Sequence, residues 1–381
     1  MSSSALRQEL GTFFNLSANR LSGLCDATGL RDQTPQILDL FRRFTSPWTD
    51  APIGKGPRWP SLVGDDHTPY EFSVGLGESP ELRIMAEPLG AVPSFRSNNE
   101  AALVLLNSLV RDFDIDLSRF EKIQDLFLPS ESSGAFGVWA AVGFAAARPP
   151  EFKVYFDPEA QGRELAPKLI QEALGRLGFV KAWKVISETL VRRGTDLDEL
   201  KYISLDISPS PKARVKIYAR HQQCTVSDLE FAASAPRWYQ KGDVTQFIKI
   251  VGPEVGNVFQ GRAPITCYSF VQGRGDDPSS ATTHFPINGY AAHDRVIADR
   301  VLQCLHWLRL PSDSYKQVMK AFANRPLERG VGLQAYVSFK RDHGKPRLTV
   351  YLPTEAYQPG VVAKPTFIEH SSSVMRKSWR A

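Results

Sequence analysis

Five times along this chain, a short segment of alternating apolar and polar residues meets a tight turn and is answered by a second such segment. The pairs are 69–76 with 81–88, 137–145 with 151–156, 202–207 with 214–218, 265–270 with 282–287, and 332–339 with 347–352. Alternation at period two marks a strand, and a tight turn between two strands makes them antiparallel. Helical patterns lie between the pairs, at 5–44 in two segments, 98–112, 116–127, 163–177, 179–192, 227–233, 243–251, 291–308 and 313–322. The unit recurs at a period of roughly 65 residues, the signature of a repeated supersecondary element. Ten strands in an open sheet would leave two unpaired edges, and closing the sheet removes them. The expected fold is therefore α+β: a ten-stranded antiparallel β-barrel surrounded by helices, wide enough to hold a ligand. One domain is expected over 1–360, followed by an irregular tail at 361–381.

The second strand of each pair is unusual. Arg214, Lys216 and Tyr218 share one strand face, while Val215 and Ile217 share the other. The same arrangement recurs with Arg83 beside Glu81 and Met85, with Lys153 and Tyr155, with Thr282 and His284, and with Arg347, Thr349 and Tyr351. On an ordinary sheet such cations would face water. If helices cover the outside of the barrel, the apolar face must turn outward and the cations and tyrosines inward. Five cations converging without acids (Arg83, Lys153, Arg214, Lys216 and Arg347) would repel one another, so the lumen must receive a polyanion such as a diphosphate. Glu71, between Tyr70 and Phe72, faces the same way. It is either a counter-ion to these cations or an acceptor for a substrate N–H that takes up developing positive charge.

Composition narrows the alternatives. Hydrophobic content of 42% and charged content of 23% are those of a globular protein, and a net charge of +5 over 381 residues does not by itself call for nucleic acid. The basic residues sit inside hairpins rather than in an exposed run, which also disfavours a nucleic-acid surface. Cys25, Cys224, Cys267 and Cys304 are far apart and lack metal-site or disulfide spacing. The polar start of the chain is unlike a secretory signal, and no apolar run approaches a membrane span, so the expected location is the cytoplasm, without membrane association. No glycine-rich nucleotide loop accompanies a βαβ unit. Asp65–Asp66, Asp276–Asp277 and the Asp112, Asp114, Asp116 group read as turns and caps, so no metal site is expected. Trp139 and Trp183 are candidates to line an aromatic pocket, but each reads first as a packing residue.

The segments DDHTPYEFS (65–73), LRIMAEP (82–88), KVYFDP (153–158), RVKIY (214–218), THFPINGY (283–290) and GLQAYVSF with RLTVYLPTEAY (332–357) run in one order through most of the chain. They resemble the aromatic prenyltransferases of the dimethylallyltryptophan synthase type, and especially the bacterial tryptophan and indole subgroup. That family folds as a ten-stranded barrel built from ααββ-type repeats. The resemblance implies transfer of a dimethylallyl group from dimethylallyl diphosphate to the indole ring of tryptophan or a tryptophan-derived metabolite, without a metal cofactor, as part of secondary (alkaloid) metabolism. It implies that Glu71 binds the indole N–H and that Arg83, Lys153, Arg214 and Lys216 bind diphosphate. Tyr155, Tyr218 and Tyr351 would form a tyrosine shield around the allyl cation. Thr282 and His284 stand where many fungal members have glutamine and tyrosine, and Arg347 where they have another tyrosine; His284 and Arg347 are read as further diphosphate donors. The expected partners are the prenyl diphosphate and an aromatic indole substrate, in a monomer or homodimer. The competing expectations are a related barrel acting on a phenol or naphthalene, and a non-catalytic barrel that binds a phosphorylated ligand.

Overall fold

The computed structural model describes residues 11–357 except 133, 254–257 and 274; the expected tail at 361–381 lies outside the described residues. Ten strands form one closed barrel: β1 Tyr70–Leu76, β2 Glu81–Ala86, β3 Val138–Ala145, β4 Glu151–Phe156, β5 Asp198–Asp206, β6 Arg214–His221, β7 Ile265–Val271, β8 Ser280–Phe285, β9 Val337–Asp342 and β10 Lys345–Pro353. Each strand pairs antiparallel with its neighbours in sequence, and β10 closes the barrel on β1 through pairs such as Phe72 with Leu352 and Ser73 with Tyr351. This is the architecture expected from the five hairpins.

The barrel is apolar outside because helices cover it. Helices α1 Phe13–Ala27, α2 Thr34–Thr45, α3 Phe95–Asp112, α4 Ala166–Arg176, α5 Val226–Ala232, α6 Asp243–Val251, α7 Asp294–Trp307 and α8 Asp313–Phe322 pack around it. Tyr70 and Phe72 of β1 lie 5.2 and 5.8 Å from the ring of Phe41 on α2. Phe339 of β9 meets Phe247 of α6 at 5.6 Å. Leu82, Ile84, Val142, Val154, Val215, Ile217 and Phe285 are buried on the same outward face. Each such side chain contributes roughly 1.5–3 kcal/mol on burial, so this shell fixes which strand face is left for the lumen. No helix among the described residues is long and apolar enough to cross a membrane.

Three local expectations are corrected. The single helix expected at 116–127 is two one-turn pieces, Ser118–Glu121 and Gln124–Phe127; the N-cap of the first is Leu117, not Asp116, which accepts from the Ser118 N–H at 2.8 Å in the turn ahead of it. The helix expected at 179–192 is a one-turn helix, Ala182–Val185, that widens into a π-type turn, Ile186–Leu190. Strand β9 begins at Val337 and runs to Asp342, so the turn is confined to His343 and Gly344. This last shift has consequences for the site, because it puts Lys340 inside a strand.

Candidate active site

Cross-strand register decides which residues share the lumen. Arg83 stands between Ser73 and Gly143, Lys153 between Ala141 and Asp206, and Lys216 between Ser204 and Ser269. The cations thus project from strands whose facing positions are mostly small, which leaves space beside them. A Cβ added at Gly143 would lie 3.6 Å from the Arg83 side chain, so a larger residue there would enter this space. Arg214 completes the set on β6, and Lys340 of β9, opposite Thr282, joins it. Burial first, and then the charges of Arg214, Lys216 and Arg83 against the pull of Asp206, push the Lys153 ammonium down to about 7. Burial, followed by Lys216, pushes Lys340 down to about 8, and Lys216 is also lowered, by burial and then by Arg214. These mutual effects show a single electropositive cluster.

Two expectations change here. Arg347 lies opposite Lys340 on the same face but is exposed at the end of β10, and the half-buried Lys340 is the cation that joins the cluster in its place. The expectation placed the turn at 341–345 and ended β9 at Phe339, which hid Lys340. Nor do the cations converge without acids. Glu81 pairs with Arg83 and also accepts from Arg148 at 3.1 Å. Asp206 accepts from Arg214 Nε at 2.6 Å and lies 3.9 Å from Lys153 Nζ. Burial would raise both carboxyls, but the neighbouring cations, Arg83 for Glu81 and Lys153 for Asp206 foremost, hold them well below the usual carboxylate range. The free site is a partly neutralised network with cations in excess.

Next along the lumen comes a band of aromatic rings. Tyr155 and Tyr218 are 6.1 Å apart, Tyr218 and His284 6.0 Å, and His284 and Tyr351 5.7 Å. The structure therefore brings together all three tyrosines singled out in the sequence, with His284 among them. His284 Nδ1 is 3.2 Å from the Tyr351 hydroxyl. Burial, then the charges of Lys216, Arg83 and Lys340, push its imidazole down to about 3, so it is neutral. The band also includes two tyrosines that the sequence did not mark, and Trp139. Tyr202 crosses Tyr218 edge-on at 5.6 Å, and Tyr336 meets Tyr351 at 6.2 Å. Trp139 is not external packing: it lies opposite Tyr155 on the lumen face, 5.4 Å from Tyr202, with Phe136 stacked on it at 4.0 Å. Trp183 packs against the core outside the wall, as expected.

Glu71 lies past the tyrosines, opposite Met85 and Pro353. Its side chain is buried, and among the described residues the carboxyl makes no hydrogen bond. Burial, then the nearby charge of Asp65, raises it to about 8, with Arg262 opposing. The loop before β1 is fixed close by: Glu87 accepts from Trp59 Nε1 at 2.8 Å and from the Ser61 hydroxyl at 2.5 Å, which holds Val63 against Phe136 and Trp139. Among the described residues no group of His, Cys, Asp or Glu is placed to hold a metal.

A lumen with a cation cluster, an aromatic band and then a lone buried carboxyl can hold an anionic leaving group, a carbocation and a ring N–H in series. The family model for tryptophan dimethylallyltransferase matches residues 24–233. The chain is 33% identical to 6-dimethylallyltryptophan synthase from Micromonospora olivasterospora, over 91% of this chain and 98% of that one, with a TM-score of 0.86. The chain belongs to the tryptophan dimethylallyltransferase family. As a member of it, the protein is a prenyltransferase that carries a dimethylallyl group from dimethylallyl diphosphate to an indole ring. Its barrel also matches PriB, solved with L-tryptophan and dimethylallyl thiolodiphosphate, at 28% identity and a TM-score of 0.84 over 91% of this chain and 97% of that one. It matches 5-dimethylallyltryptophan synthase from Streptomyces coelicolor at 26% identity and 0.83, over 91% and 99%.

Proposed function

We propose that this prenyltransferase takes tryptophan as its acceptor and that the lumen performs the transfer in one pass from the cation cluster to Glu71. The order of groups along the barrel carries this reading. Arg83, Lys153, Arg214, Lys216 and Lys340 bind the diphosphate, with His284 as a further donor, and neutralise the charge that builds on it as the C–O bond breaks. Arg347, at the exposed rim, adds long-range attraction for the incoming anion. The faces of Tyr155, Tyr218 and Tyr351 surround the allyl cation, stabilise it through their quadrupoles and keep water from quenching it. Glu71 accepts the indole N–H; as the ring attacks the cation, positive charge reaches the nitrogen and the carboxylate stabilises it. Loss of the ring proton at the new bond then restores aromaticity. Five cations supply the neutralisation that a metal provides in other diphosphate enzymes, so turnover is expected to survive chelation. One barrel domain in the cytoplasm, serving secondary metabolism, fits this reading.

The test is incubation with dimethylallyl diphosphate and L-tryptophan in the presence of EDTA, followed by mass spectrometry. A gain of one dimethylallyl unit in place of a hydrogen supports the proposal. Turnover only of phenols or naphthalenes, or none of any aromatic acceptor, overturns it.

Diphosphate binding should also move protons. Lys153 and Lys340, at about 7 and about 8 in the free site, are largely or partly neutral at pH 8, and a bound diphosphate favours their charged forms. Binding at that pH is expected to take up about one proton. Calorimetry in buffers of different ionisation enthalpy reads this directly, and an enthalpy independent of buffer would contradict the assigned cluster.

A further inference from the structure

The cation cluster contains an acid that the transfer chemistry above does not use. Glu81, the first residue of β2, stands two positions before Arg83 on the same strand face, and its carboxylate lies between two arginines. Its Oε2 pairs with Nη2 of Arg83. Its Oε1 accepts from Nη2 of Arg148, in the turn between β3 and β4, at 3.1 Å. Glu81 and Arg83 keep 24% and 31% of their side-chain surface open, so an anion in the lumen can reach the pair. Across the ladder Glu81 faces only Gly75 and Ala145, which leaves its side chain room to turn. Burial pulls the Arg83 guanidinium down, and Glu81 foremost lifts it above its ordinary value. Asp206 is held differently. Its Oδ2 accepts from Arg214 Nε at 2.6 Å and also from the Arg214 backbone N–H at 3.0 Å, which ties it to the strands. Asp206 is a fixed counter-ion, whereas Glu81 is bound by arginine side chains alone.

A phosphate oxygen and a carboxylate oxygen take the same charge-assisted bonds from a guanidinium, so a diphosphate and Glu81 compete for Arg83. Two anions on one half-buried arginine also repel each other. Arg148 gives Glu81 a second partner: the carboxylate can stay on Arg148 while Arg83 turns to the phosphate. A cluster of cations with no such competitor would hold the pyrophosphate product as firmly as the substrate. We infer that Glu81 is a positioning residue that governs pyrophosphate release: it holds Arg83 while the lumen is empty, yields it to the incoming diphosphate, and reclaims it once the prenyl group has gone. Glu81 acts through Arg83 and touches neither the allyl group nor the acceptor. The inference rests on the reading of Arg83 as a diphosphate ligand.

Calorimetric titration of the full chain with inorganic pyrophosphate tests it, in wild type, Glu81→Gln, Glu81→Asp, Glu151→Gln and Lys216→Ala. Glu81→Gln keeps the shape and loses the charge, and it should bind pyrophosphate roughly tenfold more tightly. KM for dimethylallyl diphosphate and the inhibition constant of pyrophosphate should fall with it, while kcat does not rise, because substrate and product gain alike. Glu81→Asp, which restores the charge, should return most of the way to wild type. Glu151 is the charge control: half its side chain is exposed, and it lies 3.8 Å from Arg148 and from Arg214 without pairing with Arg83. Glu151→Gln should change the affinity by less than about twofold at about 0.15 M salt, where through-space effects at the rim are screened. Unchanged or weaker binding in Glu81→Gln would make Glu81 a mere brace for Arg83 and overturn the inference. Equal tightening in Glu151→Gln would reduce the effect to net charge and overturn it as well. In either case, weaker binding by Lys216→Ala would leave the assigned diphosphate site standing. If the wild type binds no pyrophosphate, the inference and that site fail together.

Discussion

Glu71→Gln is expected to leave a folded barrel that has lost most of its prenyl transfer, by about a hundred- to ten-thousandfold in kcat/KM for the indole acceptor. Glutamine fills the same space and still offers an oxygen to the ring N–H, but it cannot become an anion as positive charge reaches the nitrogen. The pH profile should carry the same signature. Burial and Asp65 hold the carboxyl at about 8, so the ionised form, and with it kcat/KM for the acceptor, rises with pH up to about 8 and then levels off. The glutamine variant should lack that limb. Stability should move the other way. A carboxyl raised in the folded state from 4.5 to about 8 favours folding while protonated; that contribution is present below 4.5 and is lost as pH rises through 8. The melting temperature of Glu71→Gln should therefore exceed that of wild type by a margin that grows between pH 5 and pH 9. Full activity in the variant would remove Glu71 from the mechanism.

Lys216→Ala is expected to cost about 10²–10³-fold in kcat/KM for dimethylallyl diphosphate. Among the lumen cations, Lys216 faces Ser204 and Ser269 across the strands, whereas Arg83 and Arg214 are paired with Glu81 and Asp206. Its charge is thus the least neutralised within the protein and the most available to the leaving group. Removing it also relieves repulsion on Lys153 and Lys340, so the variant should fold at least as well as wild type. Titration with inorganic pyrophosphate measures the same loss without turnover. Unchanged affinity would contradict the inward-facing arrangement of β6.

The barrel was legible because the alternation in its hairpins is strong: Val215 and Ile217 against Arg214, Lys216 and Tyr218 leave little choice of face once helices are placed outside. The site was legible wherever a functional side chain sat inside such a strand. It was hidden where function came from strand ends and loops. Lys340 fell between the expected strand end at Phe339 and the expected turn at 341–345 because its strand runs on through Arg341 and Asp342, a polar segment with no local strand signal. The outward partner of Arg341 is Asp243 of α6, some hundred residues away in sequence, and no local pattern announces that pairing. Asp206 was visible as an acid, but its pairing with Lys153 and Arg214 depends on the register between β4, β5 and β6. Of the two loop acids read as turn residues, Asp66 behaves so, capping Thr68 at 3.0 Å, while Asp65 turns to Arg262. Tyr202 shares its strand face with Ser204 and Asp206, opposite Tyr218 and Lys216, and that face carries no cation of its own to mark it as the lumen.

A crystal structure of the enzyme with dimethylallyl thiolodiphosphate and L-tryptophan tests the central claim most directly. The account predicts the diphosphate among Arg83, Lys153, Arg214, Lys216 and Lys340, the allyl carbons within the Tyr155, Tyr218 and Tyr351 band, and the indole nitrogen within hydrogen-bond distance of Glu71. A diphosphate bound at the opposite end of the barrel, or an indole whose nitrogen points away from Glu71, would contradict it.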